Sequence, residues 1–221
     1  MSKPPRVTAI EPTKRDAQRA TVKVDGEVMA TLSQKRIAML GLEVGLPWSN
    51  ALAERVHAAA AFDKAMMHAM NGLSRKAMSR FEVDRKLEQK GHDPAVRADV
   101  LDRLAELSLL DDETFGRALV RETMQKQPAG PRLLRHKLMQ KGLDPVLIDQ
   151  LVDEATSDAD EQYDSALALA EKRLASMTNL EPAKRKRRLY GALARRGFDP
   201  ETIDRAMETL HERITADEPA E

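Results

Sequence analysis

Three stretches of the chain read alike: Leu87-Glu88-Gln89-Lys90-Gly91-His92-Asp93-Pro94, Leu138-Met139-Gln140-Lys141-Gly142-Leu143-Asp144-Pro145 and Leu193-Ala194-Arg195-Arg196-Gly197-Phe198-Asp199-Pro200. Their glycines lie 51 and 55 residues apart. Each conserved position of the pattern has a mechanical job. Glycine enters the left-handed conformation that ends a helix. Aspartate caps the next helix, and proline fits its first position, where no amide hydrogen is needed. The apolar residues keep phase too: Val83, Leu134 and Leu189 stand eight residues before the glycine, and Val100/Leu101, Leu151/Val152 and Ala206/Met207 stand nine and ten after it. Three copies in register identify an internal repeat of about 50 residues, a helical unit that buries its core by stacking on neighbours.

Further helices flank the pattern. Ser79-Arg80-Phe81-Glu82 reads as a capping box opening the first helix of repeat one. In repeat two Gly130-Pro131 does a similar job. A third helix is predicted at about 112–126 and at about 160–177, whereas the third repeat stops after two helices. Upstream, β-branched residues flank Asp25-Gly26, a dipeptide suited to a two-residue type I′ turn. Val7–Ile10 can add a third strand, Ser33 can cap a helix over 34–40, and Gly41 would stop it. Ser49 or Asn50 can cap a long helix that follows Trp48. The fold class expected is mainly α: tandem three-helix repeats in an elongated array behind a small N-terminal β-hairpin and helix unit. The boundaries read as 1–48 for that unit, 49–78 for a linking helix, 79–128, 129–179 and 180–213 for the repeats, and 214–221 for a disordered acidic tail.

Composition agrees with this reading. Of 221 residues only seven are aromatic, so the core must come from Leu, Ala, Val and the eleven Met. The absence of cysteine excludes disulfides, thiolate zinc sites and a cysteine nucleophile. No apolar run approaches the roughly 18 residues that span a bilayer, and the first residues lack the apolar stretch of a signal peptide. A cytoplasmic protein with no membrane partner is expected.

The 36 basic and 36 acidic residues cancel in sum but not along the chain. Residues 123–143 hold five cations (Lys126, Arg132, Arg135, Lys137, Lys141) and no acid, and 144–161 hold seven acids and no cation. Residues 183–198 hold seven cations (Lys184, Arg185, Lys186, Arg187, Arg188, Arg195, Arg196) and no acid, and 199–212 hold five acids against Arg205. The first helix of each repeat is thus basic and the second acidic. Such faces are often merely solvated and offset one another, and acids early in a helix suit its dipole. Five consecutive cations at 184–188 nevertheless repel one another unless an anion is met. Stacked repeats would align the basic helices along one side, which suits a phosphate backbone. Only Tyr190 and Phe198 are candidates for stacking against bases there.

No catalytic constellation emerges. His57 and His68 are eleven residues apart on one helix, about 16 Å at 1.5 Å per residue, too far for one metal. Asp111-Asp112 sits where a helix begins and reads as a cap and first turn. No phosphate-cradling glycine loop or nucleophile elbow is present. Neither a cofactor nor a metal is expected, and no enzyme.

The most specific stretches are Ser79-Arg80-Phe81-Glu82-Val83-Asp84-Arg85-Lys86-Leu87-Glu88-Gln89-Lys90-Gly91, Leu109-Leu110-Asp111-Asp112-Glu113-Thr114-Phe115 and Gly130-Pro131-Arg132-Leu133-Leu134-Arg135-His136-Lys137-Leu138-Met139-Gln140-Lys141-Gly142. With them the chain resembles, over about residues 65–212, the RecX family of regulators of the bacterial recombinase RecA. Val83 stands where the family usually has Leu, and Gly116 where it more often has Ala. Leu40-Gly41-Leu42-Glu43-Val44-Gly45 looks like the extension of longer members. The resemblance implies an elongated, curved molecule that is not an enzyme and lies in the groove of the RecA–DNA filament. There it would restrain filament growth, ATP hydrolysis, strand exchange and repressor cleavage, and so act in recombinational repair and the SOS response. The partners implied are the RecA filament and non-specific DNA, single-stranded above all, with the protein a monomer. The family's contact residues are not defined by motif, so the twelve cations named above rest on charge alone. Two other classes fit some of the residues: a stand-alone helix-turn-helix DNA-binding protein and a helical scaffold. Against the first, the second helix of every repeat is acidic, where a recognition helix should not be.

Overall fold

A computed structural model describes residues 4–14, 16–177 and 180–215. It falls into two compact units, one of residues 1–78 with 82–110 and one of 79–81 with 111–221.

The first unit opens with a three-stranded antiparallel sheet, β1 (Val7–Pro12), β2 (Arg19–Val24) and β3 (Glu27–Ser33), in the order β1-β2-β3. Asp25 and Gly26 take φ of 49° and 89°, as a type I′ turn requires. Ser33 caps α1 (Gln34–Leu40), accepting from the amide of Arg36, and Gly41 ends it at φ 64°. Ser49 caps α2 (Asn50–Leu73). This helix has two jobs. Leu52, Val56 and Ala59 pack on Val22, Leu32 and the rest of the sheet's buried face. Ala65 and Ala69 pack instead with Val83 and Leu87 of α3 (Arg80–Gln89) and Val100, Leu101 and Leu104 of α4 (Pro94–Glu106).

The second unit holds α5 (Asp112–Lys126), α6 (Pro131–Gln140), α7 (Pro145–Thr156), α8 (Ala159–Leu174), α9 (Pro182–Arg195), α10 (Pro200–Thr209) and α11 (His211–Thr215). The repeat chemistry is as the sequence predicts. Gly91, Gly142 and Gly197 have φ of 73°, 69° and 82°, and Asp93, Asp144 and Asp199 each accept an amide hydrogen bond at the start of the next helix.

The frame of the repeats differs from the expected one. Val120 of α5 is buried with Leu134 and Leu138 of α6 and Ile148, Leu151 and Val152 of α7. Ala166, Leu169 and Ala170 of α8 are buried with Leu189 and Leu193 of α9 and Ile203 and Ala206 of α10. Each core therefore takes the helix before the basic one, not the helix after the acidic one. The units are α2–α4, α5–α7 and α8–α10, and the helix expected merely to link at 49–78 supplies the first helix of the first. Gly116 shows why α5 belongs with α6 and α7: a methyl there would lie 2.4 Å from Leu151 and 2.9 Å from Leu143. The chain also continues beyond the second helix of the third copy. Ile214 of α11 is 3% exposed and joins the last core, so 214–215 are not tail, and 216–221 lie outside the described residues.

Within the second unit the copies are fastened by one recurring contact. Ser79 Oγ donates to the carbonyl of Lys141 at 2.6 Å, and a methyl on Gly142 would meet the Phe81 ring at 2.3 Å. One copy later, the amides of Gly130 and Arg132 donate to the carbonyls of Arg196 and Gly197, and a methyl on Gly197 would meet the Leu133 amide nitrogen at 2.1 Å. The loop that follows one basic helix thus seats on the start of the preceding basic helix. Asp112 adds a hydrogen bond there, accepting the Arg80 amide at 2.8 Å, while Asp111 caps its own helix by accepting from Glu113 and Thr114.

Candidate nucleic-acid interface

The twelve cations singled out by charge fall into three groups. The first is Lys126, Arg132, Arg135, Lys137, Lys141 and Lys184, three of which pair with carboxylates. Lys126 pairs with Glu122 one turn earlier on α5, Arg135 donates to Asp149 of α7 at 3.0 Å, and Lys184 lies 2.9 Å from Glu181. Arg132 acts on Asp199, whose carboxyl sits below its ordinary range. Burial pushes that carboxyl up, but hydrogen bonds from the Thr202 amide and hydroxyl, with the charge of Arg132, outweigh it. Lys137 and Lys141 are half-buried on α6 and at its end. For α5 and α6 the neighbouring acids therefore offset the basic charge, as a solvated face would.

The second group has structural work. Arg185 is only 7% exposed and lies on the core side of α9, so it does not face a phosphate backbone. Arg196 is half-buried, and its Nε and Nη2 donate to the carbonyls of Pro128 and Gln127 at 2.7 and 2.6 Å. Those carbonyls end α5, where the last turn leaves acceptors without helical partners. Phe198, one of two stacking candidates, is 1% exposed in the core and unavailable for bases, whereas Tyr190 is 42% exposed on α9.

The third group is Lys186, Arg187, Arg188 and Arg195. All four are exposed on α9, and none makes an ion pair among the described residues. Between them on the helix surface lies Gly191, where the one atom near an added methyl is Arg195 Nη1, at 3.2 Å. A glycine inside a helix costs about 1 kcal/mol relative to alanine, and here it leaves the backbone open to close approach amid cations.

One cation outside the twelve joins them. Arg173, in the last turn of α8, lines a cavity of about 330 Å³ together with Arg188, Arg195 and Arg196 of α9. The Arg196 guanidinium sits below its usual value, first through burial and then through the charge of Arg173. Sequence reasoning missed Arg173 because Glu171-Lys172-Arg173 reads as mixed charge. The signal that points to it is the pair of cations closing a helix, Lys172 and Arg173, at the negative end of its dipole.

The histidines make no metal constellation with other ligating groups among the described residues. His68 pairs not with His57 but with His92, Nδ1 to Nε2 at 2.8 Å.

Fold and site together define a tandem three-helix repeat protein in which α9 of the last unit carries four exposed cations outside any ion pair among the described residues. Residues 65–104, 111–152 and 160–207 match, in turn, the first, second and third three-helix domains of RecX. The chain is 37% identical over 139 residues to the "Regulatory protein RecX" of Chlorobaculum tepidum, covering 63% of this chain and 83% of that one. It is 36% identical over 162 residues to that of Mycobacterium sp. (strain JLS), covering 69% and 87%. With the Enterococcus faecalis protein of the same name it shares 35% identity over 168 residues, 75% of this chain but 62% of that longer one. A crystal structure of regulatory protein RecX superposes with a TM-score of 0.77 at 20% identity, covering 92% of this chain and 99% of that one. Another, of RecX from Lactobacillus salivarius, gives 0.58 at 24% identity over 68% and 97%. The chain belongs to the RecX family of regulatory proteins. The three matched ranges follow the frame of the buried cores, each beginning in or at the helix before the basic one.

Proposed function

We propose that this protein regulates the RecA recombinase by binding the RecA–DNA filament, and that it limits filament growth, ATP hydrolysis, strand exchange and repressor cleavage. The observation that carries the reading is α9, whose outward cations Lys186, Arg187, Arg188 and Arg195 have no carboxylate partners among the described residues of a chain of zero net charge. A phosphate backbone is the partner such a helix fits. In this reading the protein works without cofactor or metal, as a monomer in the cytoplasm, and its acts are acts of binding. Of the twelve cations, Lys126, Arg132, Arg135, Lys137, Lys141 and Lys184 would support the contact as a diffuse field, and Arg185 and Arg196 would hold the scaffold.

The test is RecA's DNA-dependent ATPase activity as the full chain is titrated in, with a parallel pull-down of RecA in the presence and absence of DNA. Falling ATPase activity with capture of the filament supports the proposal. Unchanged activity with no capture removes it. DNA binding without any effect on RecA would favour the stand-alone DNA-binding protein, which the acidic α4, α7 and α10 argue against, since none suits a major groove.

A further inference from the structure

From the α8–α9 cavity we infer a site for one nucleotide of an unpaired strand, the phosphate held by arginines and the base laid on an apolar floor. The inference rests on the cationic face of α9 proposed above and adds to it a particular pocket. Four arginines, Arg173, Arg188, Arg195 and Arg196, line this cavity, and no acid among the described residues does. Arg173, Arg188 and Arg195 make no ion pair among the described residues, although Glu171 nearby on α8 pairs with Arg213 at 2.7 Å. Bringing four like charges to one crevice is unfavourable unless an anion enters it. Arginine is the side chain whose planar fork matches phosphate oxygens, two bonds at a time.

The remainder of the lining is apolar: Leu169 and Met177 from the α8 side and Ala192 from α9. A site for bare phosphate has no use for that floor, whereas a base or sugar does. The cavity, about 330 Å³, lies at the lower end of the range for small-molecule sites, roughly 300–1,000 Å³. A duplex would present only phosphates there, because its bases are stacked inside. One wall is rigid before any ligand arrives, since the Arg196 guanidinium is held by the carbonyls of Gln127 and Pro128. The strand can then approach along Gly191, where no side chain stands in its way beyond the Arg195 guanidinium itself.

The experiment uses the full chain without RecA, so that its failure is separate from failure of the filament reading. Anisotropy of a labelled oligo(dT), of an abasic strand of the same length and of a duplex is followed at one fixed salt concentration. The double variant R173Q/R188Q is compared with K184Q/R187Q, which removes as much charge from outside the crevice; thermal melts confirm that both fold. Expected for the parent is tighter binding of oligo(dT) than of the abasic strand or duplex, by about five-fold, which is what covering roughly 40 Å² of apolar surface supplies at about 25 cal/mol per Å². R173Q/R188Q should abolish that preference, while K184Q/R187Q weakens all three probes alike and keeps it. Equal affinity of the parent for oligo(dT) and the abasic strand overturns the proposal, as does loss of the preference in both variants. Displacement of the strand by micromolar dTMP or pyrophosphate also overturns it, assigning the crevice to free nucleotide or phosphate. Normal inhibition of the RecA ATPase by R173Q/R188Q, with its base preference lost, leaves the pocket standing and separates it from regulation.

Discussion

Arg196 Nε donates to the carbonyl oxygen of Pro128 at 2.7 Å, so a side chain from the end of α9 closes the end of α5 in the preceding unit. The guanidinium spends its charge on backbone acceptors, not on solvent. Arg196→Ala should therefore destabilise the fold by about 1–3 kcal/mol, the range for leaving polar groups without partners. At about 2–4 °C per kcal/mol for a chain of this size, the melting temperature should fall by several degrees. Its neighbour Arg195, exposed, should tolerate alanine within about 0.5 kcal/mol. Equal melting temperatures for the two variants would contradict this division of labour.

The three motif glycines share a backbone conformation but not their surroundings. Gly91 has open space where a methyl would go, Gly142 faces Phe81, and Gly197 faces the backbone of Leu133. Gly91→Ala should cost only the left-handed penalty, about 1–2 kcal/mol. Gly142→Ala should add about 1–3 kcal/mol of overpacking. Gly197→Ala should be the most damaging, because backbone cannot swing aside as a ring can. Urea unfolding of the three variants checks the ranking, and an equal loss in all three would remove the proposed docking of the Gly142 and Gly197 loops on Phe81 and Leu133.

Reversing Lys184, Lys186 and Arg187 to Glu should weaken strand binding and RecA inhibition together while sparing the fold, as exposed charges contribute little to stability. If these cations contact phosphates, the log–log salt slope on single strands should become less negative by about 2, at roughly 0.7 per contact. Reversal of Asp160 and Glu161 on α8 should matter less. Reversal of Asp158 would also cost stability, because it caps α8, accepting from the amides of Asp160 and Glu161. An unchanged salt slope in the basic variant would show that these side chains meet no phosphate. Arg185→Glu, by contrast, should unfold the last unit.

The hydrogen bond between His68 and His92 requires one ring to accept, hence to be neutral. Both imidazoles sit below their usual value. Burial is the first cause in each; Lys90 and Lys64 add to it at His68, and His68 and Lys64 at His92. Groups with a depressed folded value contribute stability that is full above the unfolded value and lost as pH falls toward the folded one. The first unit should therefore weaken as pH falls below the ordinary imidazole value of about 6.5. Trp48, packed against the sheet core, is the single tryptophan and reports that unit. His92→Gln should flatten the pH dependence of its urea midpoint; the same slope as the parent would place its origin elsewhere.

What the sequence revealed was local. Glycine stops, aspartate caps, the Asp25-Gly26 turn and the Ser33 and Ser49 caps each depend on a few adjacent residues, and all stand where they were read. The grouping of helices into units was hidden because it is a choice of partner. The Gly-x-Asp-Pro motif marks the joint between the basic and acidic helices and says nothing about which third helix they bury against; Gly116 and Val120 decide that through space. Charge was legible as an inventory, not as a surface. Arg185 and Arg187 look the same in a run of cations, yet 100° per residue around α9 sends one to the core and the other to solvent. Arg173 belongs with α9 only because α8 packs there.

The docking of each loop on the preceding basic helix also sets α9 apart from α3 and α6. In α3 and α6 the seat is built on a large apolar residue, Phe81 or Leu133, beneath a bare glycine. Counted from the helix start, as Leu133 is in α6, the corresponding residue of α9 is Lys184; counted back from the glycine, it is Arg187 or Arg188. Either way α9 carries a cation where the other two basic helices carry the apolar seat, and covering it with a glycine loop would oppose its hydration. That position of α9 is thus a poor seat for protein backbone, and in the reading proposed above it is an open berth for a polyanion.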